Sequence, residues 1–131
     1  MDTKNSIAQL TDIKQLVDSF YAKVRDDMLL APVFNERIGD RWPEHLEKMY
    51  KFWQTVLLSE HTYFGSPFVP HARLEVDKTH FKRWLTLFEQ TVDEHFKGEK
   101  AEEAKWRAGK MAEMFLFKIE YYRDNPKKPI L

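Results

Sequence analysis

Cysteine is absent from the 131-residue chain. Disulfides, zinc–thiolate centres and thiol nucleophiles are therefore excluded. Glycine and proline are scarce, at four and six residues, and no glycine-rich phosphate cradle or Ser/Gly linker can be assembled from them. An excess of one charge is also missing. Lys and Arg total 21 and Asp and Glu total 21, giving a formal net charge of zero. Nucleic-acid binders carry a marked basic surplus, so no nucleic-acid partner is expected. No apolar run approaches the ~20 residues needed to span a bilayer, and the N-terminus MDTKNSIAQL lacks the basic-then-apolar pattern of a leader. These absences lead to the expectation of a cytoplasmic protein with no membrane partner. The length suits one domain over 1–131, large enough to bury roughly 68% of the surface its unfolded chain exposes.

Aromatic residues are what the chain has in plenty: ten Phe, five Tyr and four Trp. Counted alone, they fit an aromatic-rich helical core better than an enclosed flat apolar ligand. Apolar residues recur at helical spacing through Leu10, Ile13, Leu16, Val17, Phe20, Tyr21, Val24 and Met28. Thr11 or a neighbour is the expected cap, and Pro32 in LLAPVF is expected to end this helix. A second helix is predicted from DRWPEHLEKM, with Pro43 in its first turn and Leu46, Met49, Phe52, Trp53, Val56 and Leu57 on its stripe. Residues 59–77 are irregular. A third helix runs from about Lys78 to Gly98, read as its C-terminal cap, and a fourth covers about 100–123. The core should span about 10–124, leaving 125–131 as a loose tail. No segment alternates like a half-buried strand, so the expected class is all-α.

Five histidines in such a chain invite metal hypotheses. A di-iron bundle needs two Glu-x-x-His motifs, a zinc protease needs His-Glu-x-x-His, and a hydrolase elbow needs Gly-x-Ser-x-Gly. None is present. What remains is a single histidine holding a cofactor that carries its own metal, which is haem. His71 follows two prolines that would fix the chain entering a brief helical turn. By itself a surface loop histidine is the commoner outcome. His80 reads as a first-turn polar residue of the third helix. His45 begins the face shared by Met49, Phe52, Trp53 and Val56, and alone it reads as the solvent edge of a core stripe. The Tyr21 hydroxyl and Trp84 indole N–H need partners if buried, and backbone carbonyls would serve.

Taken in order, the blocks FYAKVRDD, LAPVFN, W..H…M..FW, Y.G.P…H..L and HF.RWL.LF..TV resemble the truncated haemoglobins, specifically their third group, over about residues 10–124. The resemblance implies a globin-like two-over-two helical sandwich enclosing haem b. It implies that His71 is the proximal iron ligand and that His80 is not. Tyr21 and Trp84 correspond to distal hydrogen-bond donors, and His45 to a distal histidine able to turn inward or to solvent. Phe34 corresponds to an aromatic residue packed on the porphyrin, and Met49, Phe52 and Trp53 to the apolar distal wall. No motif specifies the propionate partners; Tyr63 and Arg73 are near candidates.

On that resemblance the expected function is reversible binding of O2 and other diatomic ligands such as NO or CO at ferrous iron. Two fixed donors would slow release, which favours capture or detoxification over oxygen transport. Haem-dependent NO dioxygenation or peroxidase-like chemistry is the enzymatic alternative, and it needs an external reductase because the chain has no flavin or nicotinamide motif. A haem-free helical interaction module, its aromatics purely core, is the alternative of another class.

Overall fold

A computed structural model of the chain describes residues 4–130. Five helices carry the fold: α1 (Leu10–Asp26), α2 (Ala31–Ile38), α3 (Trp42–Leu58), α4 (Lys78–His95) and α5 (Glu99–Asp124), with a short 3-10 turn at Val69–His71. No strand is present among the described residues, where a single parallel bridge joins Asn5 to Phe96. Helix α1 packs against both α3 and α4, and α4 packs on α5, so two helix pairs are stacked through the α1–α4 contact.

The long stripe on α1 buries Ile13, Leu16, Val17, Phe20, Tyr21 and Val24. These meet Leu57 of α3, Leu87, Phe88 and Val92 of α4, and Ala101, Ala104 and Ala108 of α5 in the main core. Small alanines on α5 let its backbone approach α4 closely. A second cluster joins Phe68, Ala72 and Val76 of the irregular segment to Phe115, Ile119 and Tyr122 of α5. The segment carrying the 3-10 turn is thereby fastened to the end of α5.

Several sequence expectations are corrected here. Thr11 lies inside α1, and the N-cap is Gln9, in a capping box with Asp12. The first helix ends at Asp26, six residues before Pro32, which instead sits in the first turn of a separate helix, α2. Proline suits that position because its missing N–H would have no intrahelical partner there. Gly98 is not the C-cap of the third helix. It is the N-cap of α5 with φ +100°, while Phe96 closes α4; the glycine is needed because that φ strains any residue with a Cβ. Residues 125–130 are not loose. Asn125 donates to the Tyr121 carbonyl at 2.8 Å, Arg73 reaches the Pro126 carbonyl, and Ile130 packs on the second cluster.

Candidate functional site

Between the α1–α3 side and the 3-10 turn lies a cleft of about 500 Å3, within the usual range of cofactor pockets. Its walls are mostly apolar: Val33, Phe34 and Ile38 from α2, Met49, Phe52 and Trp53 from α3, Phe81 and Trp84 from α4, and Met111 and Phe115 from α5. A few polar atoms converge on it.

His71 closes the 3-10 turn that Pro67 and Pro70 shape. Its backbone N–H donates to the Phe68 carbonyl at 2.7 Å. Its Nδ1 lies 2.7 Å from the Pro67 carbonyl. A carbonyl only accepts, so Nδ1 carries the hydrogen and the lone pair is on Nε2. That tautomer, with one nitrogen anchored to a carbonyl, is the one that ligates metals. Burial is the main cause holding its pKa below the ordinary histidine value. The Pro67 bond opposes this shift, and the Arg37 charge adds to it. The ring is thus kept neutral, as a ligand must be.

Tyr21, His45 and Trp84 line the same cleft. The Tyr21 ring is wedged among Phe20, Phe34, Trp42 and His45, with centroids 4.9–6.0 Å away. Burial alone drives its pKa upward. Trp84 stacks on Phe88 at 5.7 Å, and Phe88 stacks in turn on Trp53 at 5.0 Å. Neither the Tyr21 hydroxyl nor the Trp84 indole N–H has a hydrogen-bond partner among the described residues, so the expected backbone carbonyls are not there. His45 Nε2 is buried without a partner. Its pKa is lowered to about 4, by burial first and then by the charges of His71 and Lys48. Buried polar atoms in native proteins are rarely left unpaired; among the described residues His45 Nε2 is one, and it shares one apolar cleft with Tyr21 and Trp84.

Phe34, Met49, Phe52, Trp53 and Tyr63 line the cleft as well, and Tyr63 sits edge-on to Phe52 at 5.4 Å. His80 also borders it, but its Nδ1 accepts the Asp77 backbone N–H at 3.2 Å in the capping box of α4. Arg73 is elsewhere. It lies in a separate, more open depression of about 520 Å3, where its guanidinium donates to the Tyr122 and Pro126 carbonyls. It is therefore turned to the end of α5. Sequence reasoning missed the basic residues that do border the cleft, Arg37, Arg41 and Lys48. Spacing gives no signal for them, since each looks like an ordinary solvated charge on a helix surface.

A haem fits this arrangement. The cleft is lined mostly by apolar side chains, and a neutral imidazole with a free Nε2 and the buried, unpaired His45 Nε2 both border it. Cations lie along the border, where a porphyrin's carboxylates would meet them. No group of three or more His, Asp or Glu side chains among the described residues could hold a bare metal ion, and none of the helices there is long and apolar enough to cross a membrane.

Comparison with known proteins agrees with this geometry. Residues 5–117 match the bacterial-like globin family. The chain is 40% identical over 85 residues to a group 3 truncated haemoglobin of Campylobacter jejuni, covering 62% of this chain and 67% of that protein. The crystal structure of a group III truncated haemoglobin from the same species superposes with a TM-score of 0.83. The identity there is 33%, with coverage of 89% of this chain and 95% of the other.

Proposed function

This chain belongs to the bacterial-like globin family, as a group III truncated haemoglobin and hence a haem-binding globin, and from that membership we propose that it holds haem b through His71 and receives diatomic ligands between Tyr21, His45 and Trp84. The observation that supports the reading is one apolar cleft lined both by an anchored imidazole and by the polar side chains Tyr21, His45 and Trp84, with His45 Nε2 buried and unpaired. The absence of cysteine excludes covalent attachment through Cys-x-x-Cys-His and so supports a non-covalently held haem such as the b form. The whole chain, 1–131, is read as one working domain in the cytoplasm.

Bound haem supplies ferrous iron able to take O2, NO or CO reversibly. The chain supplies the rest. The Pro67 carbonyl keeps the His71 ring in its ligating tautomer. Phe34, Met49, Phe52 and Trp53 exclude water from the distal side, where bulk solvent would otherwise compete for every hydrogen bond. The Tyr21 hydroxyl and Trp84 N–H are donors awaiting an acceptor of partial negative charge. Each such bond is worth about 0.5–1.5 kcal/mol, so the pair would slow ligand escape by roughly ten- to a hundredfold. Slow escape suits capture or redox removal of a ligand better than its delivery, and an external reductase would return the iron to the ferrous state. The test is titration of hemin into cofactor-free protein. Stoichiometric uptake with an intense Soret band supports the reading, and a colourless protein that takes up no hemin overturns it in favour of a purely structural aromatic core.

A further inference from the structure

The mouth of the cleft carries one polar link whose place in the fold gives it a job. Arg37, in the last turn of α2, donates from Nη2 to the Pro70 carbonyl at 3.2 Å. The Pro70 carbonyl belongs to the peptide unit that leads into His71. Thr55, Lys51 and Gln54 of α3 bind the start of the irregular segment at Thr62 and Tyr63, but among the described residues the Arg37 bond is the single one joining α1–α3 to residues 66–76, the stretch that presents the imidazole. Arg37 itself borders the cleft. Its neighbour Arg41 is spent differently, donating to the Ile38 and Arg37 carbonyls and so finishing α2.

Three anchors therefore define the His71 ring. Its N–H is tied to Phe68 at 2.7 Å and its Nδ1 to Pro67 at 2.7 Å, both inside the same short loop. Arg123 and Phe115 hold the loop from the α5 side, and only the third anchor, Arg37, ties it to α2. The first two fix the ring relative to the turn, and the third fixes the turn relative to the opposite wall. Resting on the haem reading above, we propose that Arg37 is a positioning residue for the proximal ligand and a strap across the cleft mouth, acting through the Pro70 carbonyl. Without it the 3-10 turn keeps its own geometry but loses its register against α2, and the cleft edge can part.

A guanidinium at such a mouth has a competing role, as a partner for the cofactor's carboxylates. The two roles separate with haem whose propionates are methyl esters, which have no negative charge to attract Arg37. Arg37→Ala and Arg37→Lys proteins would be loaded with haem or with its dimethyl ester, and two quantities read: the rate of cofactor transfer to excess apomyoglobin, and the iron–histidine stretching frequency of the ferrous form. The strap predicts that Arg37→Ala releases both cofactors about three- to tenfold faster, the range of one ordinary net hydrogen bond at an exposed site. It also predicts a shifted iron–histidine band, with Arg37→Lys in between because one ammonium can still reach the carbonyl. Acceleration confined to native haem overturns the proposal and makes Arg37 a carboxylate partner. An unshifted band in both variants overturns it too, since a merely structural loss would leave the proximal bond alone. His71→Ala, made alongside, keeps the two readings apart: an iron–histidine band surviving in that variant would condemn the proximal assignment itself, and not the strap.

Discussion

His71 lies within the irregular segment and His80 in the first turn of α4, and their rings are committed to different partners. The Pro67 carbonyl takes the Nδ1 hydrogen of His71, leaving Nε2 to the cleft, whereas His80 Nδ1 accepts a backbone N–H at the start of α4. His71→Ala is therefore expected to lose tight haem binding, and His80→Ala to keep it while costing α4 some stability; a pair of hemin titrations with the behaviours exchanged would refute the assignment. On the distal side, Tyr21→Phe and Trp84→Phe should each speed O2 dissociation, with the double variant showing less than the product of the two, because both donors serve one ligand. Unchanged off-rates by flash photolysis would remove both donors from the account. His45 shows where residue identity stops being informative. A histidine able to turn between cleft and solvent, titrating near the unperturbed value of about 6.5, would respond to pH in that range. The structure buries Nε2 and lowers the pKa to about 4, so the charged ring that would swing outward is not populated near neutrality. Ligand entry should be flat from about pH 5 to 8 and quicken only below. A clear inflection near 6.5 that disappears in His45→Leu would show that the ring is solvent-facing after all. Histidines and aromatics were legible because their chemistry is in their names, but the burial that sets a pKa comes from walls distant in sequence.

At the scale of elements, the junction between α1 and α2 is where sequence reasoning failed, and the reason is physical. Pro32 reads locally as a terminator but serves as an initiator, and nothing in a local window distinguishes the two. What builds the corner is Asp27, whose Oδ2 accepts the Leu29 and Leu30 N–H groups at 3.2 and 3.0 Å while Oδ1 accepts from Arg83 of α4 at 2.7 Å. The carboxylate side chain is only 7% exposed and the guanidinium 47%. Burial by itself would raise its pKa, but the Arg83 hydrogen bond, the two backbone donors and the Arg83 charge outweigh that and hold it below the ordinary carboxylate value. Depression of a native carboxylate pKa means that its stabilisation is fully present above the unfolded value of about 3.9 and is lost as pH falls through the lower native value. Asp27→Asn should accordingly lower stability at neutral pH, by about 1–3 kcal/mol for charge-assisted bonds lost at a buried site. It should also flatten the part of the acid-unfolding profile that lies below about pH 4. Chemical denaturation at pH 7 and pH 3 measures both, and a difference between wild type and variant that is the same at the two pH values would sink the argument. The other helices were readable because their stripes are long: α1, α3, α4 and α5 each carry enough periodic apolar positions to outweigh a misplaced cap, while α2 has eight residues and a single buried one, Ile38.

That imbalance matters for the whole molecule. The main core runs from α1 into α3, α4 and α5 and shares only an edge with the cleft, at Tyr21, Leu30, Ile38 and Trp53. In contrast, Val33 and Phe34 of α2 and Met49 and Phe52 of α3 point their apolar surface at the cleft itself. An isolated helix of eight residues is well short of the ~12–15 at which helices become marginally stable in water, so α2 depends on what it packs against. With haem in place, those side chains gain an apolar partner. In cofactor-free protein they face water, and α2 keeps Ile38, the contact with α1, the Phe34–Tyr21 ring contact, the Trp42–Asn35 hydrogen bond and the Arg37–Pro70 link. Local stability should therefore be uneven in the apo state. Amides of α2 and of residues 66–76 should exchange fastest, the first turns of α3 next, and α1 and α4 nearly as slowly as in the holo protein. Haem binding adds stability by mass action, rising about 1.4 kcal/mol for each tenfold of free haem above its dissociation constant. That gain should appear mainly as recovered protection at α2 and around His71. Hydrogen exchange read by mass spectrometry on apo and holo samples makes the comparison. Protection that falls evenly across all five helices on haem removal would mean that the cofactor is an integral part of one cooperative core, and that the division between a self-sufficient α1–α4–α5 core and a cofactor-dependent α2 does not exist.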